Sequence, residues 1–189
     1  MKIIGFNASP RKKGNTAWAI NKILESAKEE GAEIQSWNFS DLDIKPCQGC
    51  LACHQQGNQG CIVKDDMQKL YSELESADTL ILGSPVYMGQ MSAQAKIFVD
   101  RLFAQINPRF SPHFKERNAK KKLILVFTQG NPDSNMFQAY FDYTKHMFQL
   151  LEFDVKGVHI ITGMRNDPAH ERKELHTLMR DIGVSLTSE

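Results

Sequence analysis

The chain has no cysteine outside CQGCLACHQQGNQGC, Cys47 to Cys61, a stretch that holds all 4. It has no long hydrophobic run, and nothing approaches the ~20 apolar residues a membrane helix needs. It has almost no charge imbalance, with 23 basic against 22 acidic side chains. It also has no internal repeat, no low-complexity tract and no linker-like stretch. Each lack excludes something. Balanced charge carries no footprint of a nucleic-acid or polyanion binder. The missing apolar run argues against a membrane partner. Without a linker, 189 residues read as one domain spanning 1–189, long for one but short for two. A chain of this size buries roughly 70% of its unfolded surface, so it needs no metal merely to fold. MKIIGFNASP breaks its apolar stretch too early for a signal peptide, and a cytoplasmic location is expected. In that reducing compartment structural disulfides are disfavoured. The one basic run, KERNAKKK (Lys115–Lys122), reads as a solvated lead-in to a strand, with a nucleotide-phosphate patch as its alternative.

What is present alternates between two periods. KIIGFN (Lys2–Asn7), AEIQSWNF (Ala32–Phe39), DTLILGSP (Asp78–Pro85), KLILVFTQG (Lys122–Gly130) and VKGVHIIT (Val155–Thr162) read as strands. Between them, helical spacing is expected from Asn15 to about Glu30, with Gly31 as the stop. Another helix opens at Asp65–Asp66, where Gln68 completes the pattern of a capping box. Further helices are expected from Ser92 to about Phe103, from Phe137 to Leu151, and from Pro168 to about Ile182. Strands alternating with helices imply a parallel sheet covered on both faces. The expected fold is α/β: a flavodoxin-like three-layer sandwich with a five-stranded parallel sheet in the order 2-1-3-4-5.

In such a sheet ligands bind where the strands end. The loop after the first strand, NASPRKKGNT, offers the hydroxyls of Ser9 and Thr16, the amide of Asn15 and the cations Arg11, Lys12 and Lys13. It presents them at a helix N-terminus, where free N–H groups and the macrodipole favour an anion. It is neither G-x-G-x-x-G nor a Walker loop, so neither a dinucleotide pyrophosphate nor ATP is its obvious guest. A phosphatase of the low-molecular-weight type would need a cysteine here and has none. An ordinary polar turn before a capped helix is the plain alternative. The second loop begins SPVYM (Ser84–Met88), whose Pro85, Tyr87 and Met88 offer an apolar platform for a planar ring. The third, TQGNP (Thr128–Pro132), leaves the same edge. A phosphate grip beside a ring platform describes flavin mononucleotide, FMN.

The cysteine spacing is C-x2-C-x2-C-x7-C. Four thiolates suit iron–sulfur or zinc. Zinc ribbons place two C-x2-C pairs on separate knuckles, whereas a continuous C-x2-C-x2-C wrap fits three corners of a cubane. A 4Fe–4S cluster on Cys47, Cys50, Cys53 and Cys61 is therefore expected, with free thiols or zinc as the rivals. The last gap is longer than in ferredoxins, and Ile62 rather than proline follows Cys61. His54 beside Cys53 reads as a solvated loop histidine.

With GFNASPRKKGNT, CQGCLACHQQGNQGCIVKDDM and GSPVYMGQMSAQAKIFVDR on the page, the chain resembles the flavodoxin-like NADPH-dependent FMN reductase family, and within it the iron–sulfur flavoprotein branch. The resemblance implies that Ser9, Arg11, Lys13, Asn15 and Thr16 hold the FMN phosphate. It implies that Ser84, Pro85, Val86, Tyr87 and Met88 line the isoalloxazine ring, with Thr128, Gln129 and Gly130 opposite. It also implies a homodimer or homotetramer. The expected function is an FMN-dependent oxidoreductase. Electrons would come from NAD(P)H or reduced ferredoxin and pass through FMN and the cluster to a quinone, an oxygen species or a protein acceptor. No side chain stands out as a general acid or base, which suits chemistry belonging to the cofactor. Arg109, Tyr87 and Gln129 define no substrate. A flavodoxin-type electron carrier without a small-molecule substrate is the first alternative, and a zinc-knuckle interaction module the second.

Overall fold

The computed structural model describes residues 1–55, 60–105, 121–165 and 167–188. Arg109 and most of the basic run, 115–120, lie outside the described residues.

The apolar runs become strands β1 (Lys2–Asn7), β2 (Glu33–Asn38), β3 (Thr79–Tyr87), β5 (Lys122–Thr128) and β6 (Asp154–Ile161). They pair in parallel in the order β2-β1-β3-β5-β6, which is the expected flavodoxin-like order. One strand was not expected: β4 (Gln90–Met91) folds back antiparallel on the end of β3. Its two-residue turn puts both Met88 (φ 49) and Gly89 (φ 80) in the left-handed region, the geometry of a type I′ hairpin.

Among the described residues, five α-helices cover the sheet: α1 (Asn15–Glu29), α2 (Met67–Ser76), α3 (Ala93–Arg101), α4 (Gln138–Leu150) and α5 (Lys173–Thr187). Because strand side chains alternate, each strand feeds two cores. Ile4, Phe6, Leu80, Leu82 and Leu125 pack with Leu70 of α2, Phe98 of α3 and Phe141 of α4. Ile3, Ile81, Ile124 and Val126 pack on the opposite face with Ile20 and Ile23 of α1 and Met179 and Ile182 of α5. Gly31 ends α1 at φ +89, while its N–H donates to Lys28 O and that of Ala32 to Ala27 O, the Schellman pattern.

Three local expectations are corrected. Gln68 does not reach back to form a capping box at α2; its side-chain amide donates to Cys61 O at 3.2 Å and Val63 O at 2.7 Å. The last helix begins at Lys173, not Pro168, because Ala169–Glu171 forms a separate 3-10 turn. It runs on to Thr187 because Leu186 still packs against the α1 face. His54 is half-buried rather than solvated, its Nε2 lying 2.9 Å from Phe103 O and its ring edge-on to Phe103 at 4.4 Å. No helix among the described residues is long and apolar enough to cross a membrane.

Candidate functional site

All five parallel strands end at one edge, and four of their loops meet there. The first loop is shaped by short turns: Ser9 N donates to Asn7 Oδ1 at 3.1 Å and Arg11 N to Ser9 Oγ at 3.1 Å. Gly14 is the N-cap of α1 with no side-chain cap, leaving the helix's first amides without a side-chain acceptor. Thr16 Oγ1 and Thr128 Oγ1 stand 2.7 Å apart, a buried link between the first loop and the end of β5.

Around this junction lies a cavity of about 500 Å³, within the usual range of small-molecule sites. Ser9, Arg11, Lys13, Asn15, Thr16, Pro85, Val86, Tyr87, Thr128, Gln129 and Gly130 all line it, so the structure brings together eleven of the thirteen residues singled out from the sequence. Ser84 and Met88 are placed elsewhere. Ser84 is 1% exposed and serves α3: Ser92 N donates to its Oγ at 2.9 Å, and Ser92 Oγ in turn donates to Ala8 O at 2.7 Å. Met88 is fully exposed at the hairpin tip.

Sequence reasoning left out Met164, Arg165 and His170, which also line the cavity. They follow β6, whose end at the same sheet edge was the available signal. Asn15 also takes a role that was not anticipated. Its Oδ1 accepts from Ala169 N at 3.0 Å, tying the start of α1 to the post-β6 segment.

The cavity's electrostatics have one sign. No aspartate or glutamate is among its described lining residues. Lys12 pairs with Asp41, yet Arg11, Lys13 and Arg165 have no carboxylate at ion-pair distance among the described residues. Arg165 leans over the third loop, its Nε 3.9 Å from where a Cβ on Gly130 would stand. Gln129 is 2% exposed; its Nε2 donates to Asn131 O and Asp133 O, leaving its Oε1 buried without a partner. Cations and an open helix end, lining one cavity with Pro85, Val86 and Tyr87, suit an anionic group joined to a flat ring.

The cysteines lie on the segment after β2. Cys47 and Cys50 are exposed; Cys53 and Cys61 are half-buried. Burial pushes the Cys53 thiol up, and the neighbouring sulfurs of Cys61, Cys50 and Cys47 push the same way, so the four share one electrostatic neighbourhood. Among the described residues no group of three or more His, Cys, Asp or Glu side chains stands in ligating geometry. As a donor set, four cysteines within fifteen residues are of the soft kind that an iron–sulfur or zinc centre takes.

The family model for NADPH-dependent FMN reductases matches residues 1–158. The chain belongs to that family. An iron–sulfur flavoprotein of Methanocaldococcus jannaschii is 41% identical over 101 residues, covering 53% of this chain and 51% of that protein. The chain thus spans about half the length of the curated relatives it matches. Among solved structures, an NAD(P)H:quinone oxidoreductase from Methanothermobacter marburgensis superposes with TM-score 0.75 at 16% identity, over 98% of this chain and 96% of that one. An FMN-dependent NADH-azoreductase from Bacillus anthracis, solved with FMN, gives TM-score 0.69 at 17% identity, over 98% and 99%. At these identities the structural likeness carries the fold, and it agrees with the family's three-layer architecture.

Proposed function

We propose that this chain is an FMN-dependent oxidoreductase of the iron–sulfur flavoprotein kind. Its cofactors are FMN in the 500 Å³ cavity and a 4Fe–4S cluster on Cys47, Cys50, Cys53 and Cys61. The observation carrying the reading is the convergence of three loops, read independently from the sequence, on one cavity with no carboxylate among its described lining residues.

In this reading Arg11 and Lys13, with the Ser9 hydroxyl and the first amides of α1, hold the phosphate. Thr16 and Thr128 keep the two loops in register through their 2.7 Å contact. Pro85, Val86 and Tyr87 bear one side of the ring and the Thr128–Gly130 backbone the other. The bound flavin supplies the exchange between hydride and single electrons, and the cluster carries single electrons. The protein's task is binding and orientation, and among the described residues no carboxylate lines the cavity. NAD(P)H or reduced ferredoxin is the proposed donor, and a quinone, an oxygen species or a protein the acceptor.

The test is a visible spectrum with iron and acid-labile sulfide assays on protein purified without oxygen, followed by addition of NADPH, NADH or reduced ferredoxin. Flavin bands, about four iron per chain and bleaching by one donor are expected. Flavin that none of the donors reduces overturns the oxidoreductase; absence of flavin overturns the cavity assignment.

A further inference from the structure

The cysteine segment leaves and rejoins the body through a narrow neck. At its two sides Asp66 N donates to Asp43 O at 3.1 Å, and Asp43 N donates to Asp66 Oδ2 at 2.9 Å. One step further in, Lys45 N donates to Asp65 Oδ2 at 2.9 Å. Arg101, the last residue of α3, enters this neck from the side. Its Nη1 donates to Lys45 O at 2.8 Å and to Asp65 Oδ2 at 2.6 Å, and its Nη2 to Asp65 Oδ1 at 3.1 Å. One guanidinium thus grips the chain two residues before Cys47 and four residues after Cys61. The pair is closed to solvent, with side-chain exposures of 1% and 0%.

We propose that Arg101 is a positioning residue for the cysteine segment: with Asp65 it closes the neck so that Cys47 and Cys61 are delivered to the same place. The iron readout rests on the cluster reading above; the closure of the neck does not.

Three observations carry this. The planar fork of an arginine can grip a carboxylate through two nitrogens while one of them also reaches a carbonyl, a bidentate geometry that a lysine's single nitrogen cannot make. The arrangement leaves Arg101 Nε buried without a partner, so the side chain is not placed for its own satisfaction. A buried ion pair is better suited to fixing a register than to adding stability. Two more anchors come from neighbouring residues: Phe103 O meets His54 beside Cys53, and Gln68 of α2 donates to Cys61 O. The segment's two ends and its middle are therefore fastened to the C-terminal end of α3 and the start of α2.

The test compares wild type with Arg101→Lys, Asp65→Asn and the paired Arg101→Met/Asp65→Leu substitution, which keeps apolar volume if a single change prevents folding. Bound FMN, iron and sulfide per chain are measured, with amide hydrogen exchange over residues 43–45 and 65–67 in iron-free protein. FMN should stay at the wild-type ratio while iron falls at least threefold. Exchange at Lys45 and Met67 should accelerate on the order of tenfold, as expected for a lost charge-assisted bond. Wild-type protein without iron would sink the cluster reading, while exchange would still decide the neck. Unchanged iron, or in iron-free protein unchanged exchange, in Arg101→Lys and Asp65→Asn overturns the proposal. The same result in the paired variant overturns it if neither single variant folds.

Discussion

Gly183 should tolerate no side chain, because α1 and α5 touch there. A Cβ at this position would stand 2.4 Å from Ile23 O, 2.7 Å from Ser26 Cβ and 3.1 Å from Ala27 N. The first neighbour is backbone carbonyl and cannot rotate away. Relief requires α1 to shift, yet Ile20 and Ile23 of that helix are 1% and 0% exposed against the sheet. Overpacking of this kind costs about 1–3 kcal/mol, and contact with backbone places Gly183→Ala at the upper end. Alanine's better helix propensity returns about 1 kcal/mol, leaving a net loss of about 2 kcal/mol. In a chain of this length that lowers Tm by about 4–8 °C. The assay is thermal unfolding by circular dichroism on flavin-free protein, since bound FMN would add stability by mass action. A Tm equal to or above wild type would mean that the helices part at no cost, and that their close approach constrains nothing.

Arg11→Ala should weaken FMN binding about 10- to 100-fold, the worth of a hydrogen bond to a charged group. Riboflavin, which lacks the phosphate, should bind the variant as it binds wild type; calorimetry with both ligands separates a phosphate contact from general damage. Met88→Asn should raise Tm by about 2–4 °C, because asparagine accepts the left-handed turn position at φ 49 better than methionine, and FMN binding should not change. Asp65→Asn should flatten acid unfolding. Burial alone would raise this carboxyl, but the bonds from Arg101 and the Lys45 amide outweigh it and hold it below the ordinary range. The unfolded chain therefore takes up the proton first. The stabilisation is complete above the ordinary value of about 3.9 and is lost as pH falls through the lower folded value. Denaturant titrations from neutral pH down through that window should show the wild type losing stability and the variant losing less.

The strands and their order were legible because buried parallel strands are apolar runs, and alternation with helices leaves few topologies. The cavity was legible for the same reason: parallel strands end together, so loops from distant parts of the sequence must meet. What stayed hidden rests on long-range partners. Asp65 stood in a capping pattern, but its carboxylate was claimed by an arginine 36 residues away. Asn15 looked like a ligand amide, yet its Oδ1 serves an amide 154 residues on. Met88 was read with Pro85 and Tyr87 as an apolar platform for a ring; the left-handed turn position it takes at φ 49 leaves its side chain in solvent at the hairpin tip. Arg165 and His170 required only the step of following β6 to its end, where the sheet edge already implied a fourth loop.

The two centres proposed for this chain hang from opposite ends of one helix. At its N-terminus Ser92 receives Ala95 N, donates to Ala8 O of the first loop and binds Ser84 where the second begins. At its C-terminus Arg101 and Phe103 hold the cysteine segment. Between them α3 runs 9 residues, and Phe98 in its middle is locked between Phe6 and Phe39 with ring centroids 5.0 Å and 4.8 Å away. At 1.5 Å per residue that sets a span of about 14 Å. The spacing of the first loop and the cysteine neck is therefore governed by a helix whose length cannot drift, rather than by loops whose length can. A one-residue insertion in α3 would rotate Arg101 by about 100° out of the neck while Ser92 kept its cap, separating the two attachments without touching either site.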